Sequence, residues 1–181
     1  KIDGHATVGE SVANSTMHTI AYPHIQTHRA YTKAAADVKV FDLKTAPVKI
    51  GYIEGSGDRV PDAIKQMGFD IELISEDDLA TGDLSKYDTI VVGIRAYQVR
   101  PDVIAHNKRL LDFASNGGTL LVQYQLPAYG QQNLGPFPMQ MGPRVVDENA
   151  PVTIVQPTHP ILSSPNKISD ADFAGWVQER N

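Results

Sequence analysis

Cysteine is absent from this 181-residue chain. Disulfide bonds, thiolate metal sites and a cysteine nucleophile are therefore excluded within the sequence. Long apolar runs are lacking too, because no stretch approaches the roughly 20 residues of a membrane-spanning helix. No signal peptide is visible. The chain begins at Lys1 rather than at Met and stops at Asn181, so we expect a piece of a longer protein, in which a missing signal peptide says nothing about export.

A basic surface is also missing. The formal net charge is −5, and no run of basic residues occurs. Nucleic-acid binding requires a positive face, so the composition disfavours that class of function. A hydrophobic content of 41% and a charged content of 20% are ordinary for a soluble globular protein. The length is sufficient for one domain with a core and a short appendage.

Residues 1–46 differ from the rest of the chain. They are polar, lack a sustained helical period and carry four of the six histidines. Thr19–Ile25 and Val38–Leu43 are each candidates for a short strand. Five cationic and four acidic residues give the segment a net charge of +1, which leaves −6 for the remainder. We interpret residues 1–46 as the tail of a preceding domain plus a linker, and residues 47–181 as an α/β domain.

Three histidines in the first segment raise the question of a metal site. His24 and His28 are spaced i, i+4, which places both rings on one face only in a helix. Pro23 and Thr27 give little support for a helix there. Exposed or locally hydrogen-bonded side chains are therefore the favoured interpretation of His18, His24 and His28, and we predict no metal site.

From Val48 onward, strands and helices alternate. The predicted strands are Val48–Ile53, Phe69–Ile74, Ile90–Val92, Thr119–Tyr124 and Val152–Val155. One helix is predicted after a cap at Asp58, with an apolar stripe of Val60, Ile64 and Met67. Another is predicted from Pro101 to a glycine stop at residues 116–118. This order is typical of a doubly wound, mostly parallel sheet with helices on both faces.

The central predicted strand carries the first candidate site. Ile90–Val92 is an unbroken β-branched run, as expected for a strand buried on both faces. Arg95 and Tyr97 follow where this strand should end, and ligands of open α/β sheets bind outside the carboxyl ends of the strands. The Arg95 guanidinium is suited to grip a carboxylate or sugar hydroxyls. The alternative is a salt bridge into the acidic 70–88 region, which holds seven carboxylates against one lysine.

Gly55-Ser56-Gly57 lies between the first predicted strand and its helix, where phosphate cradles form. The run is not G-x-G-x-x-G, no lysine follows it, and Glu54 and Asp58 would repel an anion. A turn that requires permissive glycines is the favoured interpretation. Gly55, Ser56 and Gly57 nevertheless remain candidate ligand contacts.

Gln123, Tyr124 and Gln125 end the fourth predicted strand, where an α/β-hydrolase carries its nucleophile. None of the three is Ser, Cys or Thr. Tyr124 with His159 as a base would be a rare nucleophilic pair, and a structural histidine in a turn is the better interpretation. Gln123 and Gln125 are candidate ligand contacts beside the uncharged 125–141 loop, whose length is typical of functional loops.

Asn107 falls on the same predicted helix face as Val103 and Leu110. A polar side chain that points inward must be hydrogen-bonded. We therefore expect Asn107 to pin the neighbouring loop rather than to touch a substrate.

Several spaced motifs resemble those of a known module. They are Lys49–Ile53 with Gly55–Asp58, Tyr87–Tyr97, Asn116–Tyr124, Thr158–Ile161 and Asp172–Trp176. Together they resemble the glutamine-amidotransferase-like module that ends large PIG-L (LmbE-like) family deacetylases and, more remotely, ThuA-like domains with a similar His-Pro-Ile segment. The resemblance implies a flavodoxin-like α/β fold of the class I glutamine-amidotransferase type.

The resemblance also carries functional expectations. In those deacetylases a separate N-terminal zinc domain removes the acetyl group from N-acetylglucosamine-type sugars. Its His-Pro-Asp-Asp motif is absent here, so zinc is expected only in the parent's N-terminal domain and no cofactor in this fragment. Residues 1–46 would be the tail of a β-rich middle domain. Glutamine amidotransferases require a cysteine after the strand matching Thr119–Tyr124, so no glutaminase activity is expected. The architecture implies a periplasmic or extracellular, secreted protein.

Three interpretations follow. The first is a non-catalytic accessory module that binds a carbohydrate, or other domains of the same polypeptide, within a deacetylase. The alternative is an independent hydrolase of a small ester, lactone or sugar derivative that uses Tyr124 and His159. In the third, Arg95 and the glycines only build the sheet edge. If strands follow Asn181 in the parent chain, the domain is truncated here and its sheet edge is open.

Overall fold

The computed structural model describes residues 1–38, 40, 42–140, 142, 145–147 and 149–175. The chain divides into two units, Lys1–Leu43 and Lys44–Asn181. The boundary predicted at residues 46 and 47 falls in the stretch without regular secondary structure before the first strand of the second unit. Trp176, which ends the last motif of the resemblance, and residues 39 and 41 of the predicted strand Val38–Leu43 lie outside the described residues. The described residues of that predicted strand form no strand.

The first unit consists of three antiparallel strand pairs. They are β1 (Ile2–Asp3) with β6 (Ala35–Ala36), β2 (Ala6–Val8) with β3 (Ser11–Ala13), and β4 (Ser15–Ile20) with β5 (His28–Lys33). The predicted strand Thr19–Ile25 was wrong in its bounds, because the observed strand begins at Ser15 and ends at Ile20. His28 lies on a strand, so no helix places it on one face with His24.

The second unit is built on a four-stranded parallel sheet with helices. Its strands are β7 (Lys49–Ile53), β8 (Asp70–Leu73), β9 (Thr89–Val92) and β10 (Thr119–Val122), in the spatial order β10-β9-β7-β8. The helices are α1 (Val60–Gln66), α2 (Glu76–Thr81), α3 (Ala96–Val99), α4 (Pro101–Ala105), α5 (Asn107–Ser115) and α6 (Ala128–Gln131), with 3₁₀ turns at Leu84–Lys86, Pro160–Leu162 and Asp170–Phe173. This mixed α/β arrangement is compatible with a flavodoxin-like fold. The strand order reverses between β7 and β9, which makes their carboxyl ends the topological switch point.

The two interior strands place their side chains alternately in two apolar clusters. Ile53 of β7 and Val92 of β9 belong to the larger cluster, together with buried side chains of α2 to α5. Tyr52 and Val91 belong to the smaller cluster, which Ile64 of α1 covers. The prediction that the central strand is buried on both faces is therefore confirmed.

The two edge strands are more exposed than predicted. The strand predicted through Tyr124 ends at Val122, and Leu121 of this edge strand is 49% exposed. On β8, Leu73 points to solvent, and the buried residue is the following Ile74. The strand predicted at Val152–Val155 was wrong, since these residues pair with no other strand in the described part of the chain.

The helices also depart from the predicted pattern. The single helix expected from Pro101 is interrupted at His106, whose φ of −106° and ψ of 16° separate α4 from α5. Asp58 accepts a hydrogen bond from the Val60 N–H at 3.0 Å, but the residue before α1 is Arg59. Met67 is exposed rather than part of the apolar stripe. No helix within the described residues has the length and apolar character needed to cross a membrane.

Candidate functional site

The loops after β7 and β9 lie directly against each other at the switch point. A Cβ added to Gly55 would stand 1.9 Å from the Ile94 carbonyl oxygen, and one added to Gly93 would stand 2.8 Å from the Ile53 carbonyl oxygen. The Ser56 N–H donates to the same Ile94 carbonyl at 2.9 Å. Glycine is required at both positions because backbone packs against backbone.

Two backbone N–H groups of the glycine-rich loop donate hydrogen bonds to carbonyls of the protein. Besides the bond from Ser56, the Gly57 N–H donates to the Gly55 carbonyl at 3.0 Å. Gly57 has a φ of +72°, a conformation that favours glycine. The loop therefore has the geometry of the predicted glycine turn, and these two N–H groups are not directed at an anion.

The buried Tyr52 of β7 joins the loop after β7 to the loop after β10. The Tyr52 hydroxyl donates to the Asp58 Oδ1 at 2.8 Å, and the Gln123 Oε1 is a second acceptor at 3.0 Å. Burial, and then the Asp58 carboxylate, raise the pKa of Tyr52. The other carboxylate oxygen, Asp58 Oδ2, is buried and has no hydrogen-bond partner among the described residues. Sequence reasoning missed this network, although a tyrosine inside an apolar strand requires a partner for its hydroxyl.

Arg95 occupies the switch point in an uncommon backbone conformation. Its φ of 56° and ψ of 21° are left-handed, and its N–H donates to the Tyr124 carbonyl at 2.9 Å. A non-glycine residue in this region is held there at a cost of about 1–2 kcal/mol. The residue is exposed, and its guanidinium makes no ion pair or hydrogen bond with the described part of the chain. The predicted alternative, a salt bridge from Arg95 into the 70–88 region, is not formed.

The neighbouring arginine is already engaged. Arg100 donates to both oxygens of Asp102, from Nε at 2.8 Å and from Nη2 at 2.7 Å, and lies 3.9 Å from Glu76. Of the two arginines that follow β9 within residues 93–100, Arg95 is thus the one available to a ligand.

Two predicted contact residues are buried and used inside the fold. The Gln125 Nε2 donates to the carbonyls of Gly93 and Gln123, and its Oε1 accepts the Tyr97 N–H at 3.2 Å. The Tyr97 hydroxyl donates to the Asn107 Oδ1 at 2.6 Å. Burial raises the pKa of Tyr97. Both side chains are therefore engaged within the protein, where they hold the loops after β9 and β10 together.

The expectation for Asn107 is confirmed. Its side chain is buried, and its Nδ2 donates to the Leu134 carbonyl at 2.9 Å. Leu134 belongs to the uncharged loop after β10, so Asn107 ties that loop to α3 through Tyr97.

Tyr124 and His159 do not form a nucleophile–base pair. Both lie within the described residues, and no hydrogen bond joins the two side chains. The His159 Nδ1 accepts the Ile161 N–H at 3.3 Å and so caps the 3₁₀ turn at Pro160–Leu162. The arrangement gives His159 a local structural role.

Comparison with protein-family models, with curated proteins and with solved structures finds no match for this chain. The side chains at the switch point are therefore the basis for assigning a function. Within the described residues no group of three or more His, Asp or Glu side chains is placed to hold a metal ion. The switch point offers an exposed guanidinium in Arg95, a hydroxyl in Ser56 and an exposed carboxylate in Glu54.

Proposed function

We propose that this chain is a non-catalytic, flavodoxin-like module of the glutamine-amidotransferase-like type. It binds a carbohydrate at the carboxyl edge of its sheet and serves a larger, exported PIG-L-like deacetylase whose zinc is held in another domain. The motif resemblance and the parallel sheet with its switch point between β7 and β9 support this assignment. The observation that carries the binding proposal is the exposed Arg95 at that switch point, whose guanidinium has no partner among the described residues.

The charges around Arg95 favour a ligand rich in hydroxyls. The guanidinium provides donors only, whereas the Glu54 carboxylate and the Ser56 hydroxyl on the adjacent loop accept hydrogen bonds. A sugar hydroxyl both donates and accepts, so it complements this mixture. Glu54 repels an anion at short range, which weighs against a phosphate or carboxylate ligand.

Two contacts weigh against the alternative of an independent hydrolase. His159 is engaged with the Ile161 N–H, and Tyr124 lacks a bond to it. Without a base in contact, a phenol is a weak nucleophile. We therefore expect no turnover of a small ester such as p-nitrophenyl acetate beyond that of a His159→Ala protein. Turnover that disappears in both His159→Ala and Tyr124→Phe, with folding retained, would support the hydrolase instead.

The binding proposal is tested by calorimetric titration of the chain with N-acetylglucosamine and with glucosamine. We expect the wild type to bind, and Arg95→Ala to bind about tenfold or more weakly, because a hydrogen bond to a charged group contributes about 1.5–3 kcal/mol. Arg29→Ala, at an exposed arginine of β5, is the matched control and should bind normally. Absence of binding to either sugar contradicts the proposal.

A further inference from the structure

A second candidate site lies in the loop after β10. Residues between 127 and 140, together with Gly142, line an open cavity of about 790 Å³, a size within the roughly 300–1,000 Å³ of small-molecule sites. None of its described lining residues is ionisable. Three lining side chains are carboxamides and three are apolar: Gln131, Asn133, Gln140, Pro127, Pro138 and Met139.

The cavity wall is held in place by close packing. A Cβ added to Gly130 of α6 would stand 2.7 Å from the Met139 carbonyl oxygen, so the 138–140 segment lies directly on the helix. Tyr129 of α6 belongs to the larger apolar cluster, and the Leu134 carbonyl accepts from Asn107. The loop is therefore anchored to the core on both sides of Gln131 and Asn133.

The three carboxamides are free to bind a ligand. Gln131, Asn133 and Gln140 are exposed, and their side chains make no hydrogen bond within the described part of the chain. Each offers two N–H donors and one carbonyl acceptor without a formal charge. Such a set matches hydroxyl and amide groups. None of the described lining side chains carries a charge, so a charged ligand would gain no ion pair here.

We infer that this cavity is a binding subsite for a neutral, polyhydroxylated ligand, and that it discriminates against charged sugars. The inference rests on the proposed function for its ligand class, carbohydrate, but uses different residues. An N-acetylated sugar is neutral, whereas its de-N-acetylated form is an ammonium ion near neutral pH. The cavity therefore favours the acetylated form.

The test is a titration of the full chain with N,N′-diacetylchitobiose, which is neutral, and with chitobiose, which is cationic. We expect the wild type to bind the neutral disaccharide about tenfold more tightly, and its affinity to stay constant when salt is raised from about 0.05 M to about 0.5 M. Gln131→Ala and Gln140→Ala should each weaken neutral binding about three- to tenfold through a lost hydrogen bond. Gln132→Ala, at the next exposed glutamine, which does not line this cavity, is the control and should bind normally.

A second variant perturbs the wall without touching the carboxamides. Gly130→Ala places a methyl group against the Met139 carbonyl, so the 138–140 segment must move and neutral binding should fall. Its thermal midpoint is measured alongside, and the two glutamine variants decide the question if this protein unfolds.

The outcomes separate this inference from the binding proposal. Equal affinity for both disaccharides, or unchanged affinity in both glutamine variants, overturns the inference. Binding that is lost in Arg95→Ala but intact in the glutamine variants also overturns it, while supporting the site at the strand ends. Loss in the glutamine variants alone supports the cavity and contradicts the Arg95 site. No binding by the wild type overturns both.

Discussion

Among single residues, Tyr97 makes the contact whose energy is most directly testable. Its hydroxyl donates at 2.6 Å to Asn107 in a buried setting. Tyr97→Phe leaves the Asn107 oxygen buried without that donor, so we expect a loss of about 1–3 kcal/mol in the free energy of unfolding, measured in urea. Tyr31→Phe, at an exposed tyrosine, should change it by less than about 0.5 kcal/mol. Equal effects of the two changes would contradict the assignment.

Gly55 is a second position where a single added carbon atom should change the free energy of unfolding. Gly55→Ala forces a Cβ into the Ile94 carbonyl, so we expect the free energy of unfolding to fall by about 1–3 kcal/mol or more. Gly142→Ala is the matched control, because no atom of the described residues lies within 4 Å of an added Cβ and its φ needs no glycine. Thermal unfolding monitored by circular dichroism compares them. A Gly55→Ala protein as stable as Gly142→Ala would show that the two loops are not in contact.

These residues also mark what the sequence could and could not predict. The role of Asn107 was predictable because its position in a local apolar pattern requires a partner nearby. The network of Tyr52 was not, because its hydroxyl meets Gln123, which is 71 residues away in the chain. Such a contact depends on which strands are neighbours, and no local pattern encodes that order.

Among the elements, the interior and edge strands should respond differently to truncation. Ile90 of β9 is 0% exposed, whereas Leu121 of β10 is 49% exposed. Ile90→Ala should lower the free energy of unfolding by about 2–5 kcal/mol. Leu121→Ala should lower it by less than about 1 kcal/mol, because little of its apolar surface leaves water on folding. If the two variants lose similar free energies of unfolding in urea, the exposed face of β10 that carries Leu121 is covered in solution.

Glu72 of the edge strand β8 predicts how the stability of the protein depends on pH. Hydrogen bonds from Lys49 and Lys86 lower the pKa of Glu72 from 4.5 to about 2. The pKa is lower in the folded than in the unfolded chain, so this contribution is complete above about pH 4.5 and is lost as the pH falls toward 2. Glu72→Gln should therefore lower the thermal midpoint near neutral pH, and the difference from wild type should vanish near pH 2.

The control for this prediction is Glu10→Gln, at an exposed glutamate of the first unit. Its thermal midpoint should follow the wild type throughout the same pH range. A Glu72→Gln protein that keeps a constant difference from wild type between pH 7 and pH 2 would show that the ion pairs of Glu72 do not stabilise β8.

The predicted bounds of strands and helices were wrong where the structure depends on a neighbouring segment. Val152–Val155 is β-branched and predicts a strand, but strand propensity acts only when a neighbouring strand is present. No strand among the described residues pairs with this segment. The helix break at His106 could not be predicted from the sequence pattern, because the apolar spacing of Val103 and Leu110 continues across it. The alternation of strands and helices, by contrast, was enough to predict a parallel α/β sheet.

At the level of the whole molecule, the binding proposal places function in the second unit. The first unit is a set of strand pairs whose described residues are almost all exposed. The second unit contains the apolar clusters, the switch point and the cavity. The acidic balance of residues 47–181, −6 against +1 for residues 1–46, agrees with a ligand that is not an anion.

The central claim is that the exposed Arg95 marks a carbohydrate site at the carboxyl ends of β7 and β9. The most direct measurement is an NMR titration of the isotope-labelled chain with N-acetylglucosamine. The account predicts saturable shifts of the Ser56, Gly93 and Arg95 amide signals that disappear in Arg95→Ala and persist in Arg29→Ala. If these three signals stay unchanged while the sugar is added, or shift equally in the two variants, the account is contradicted.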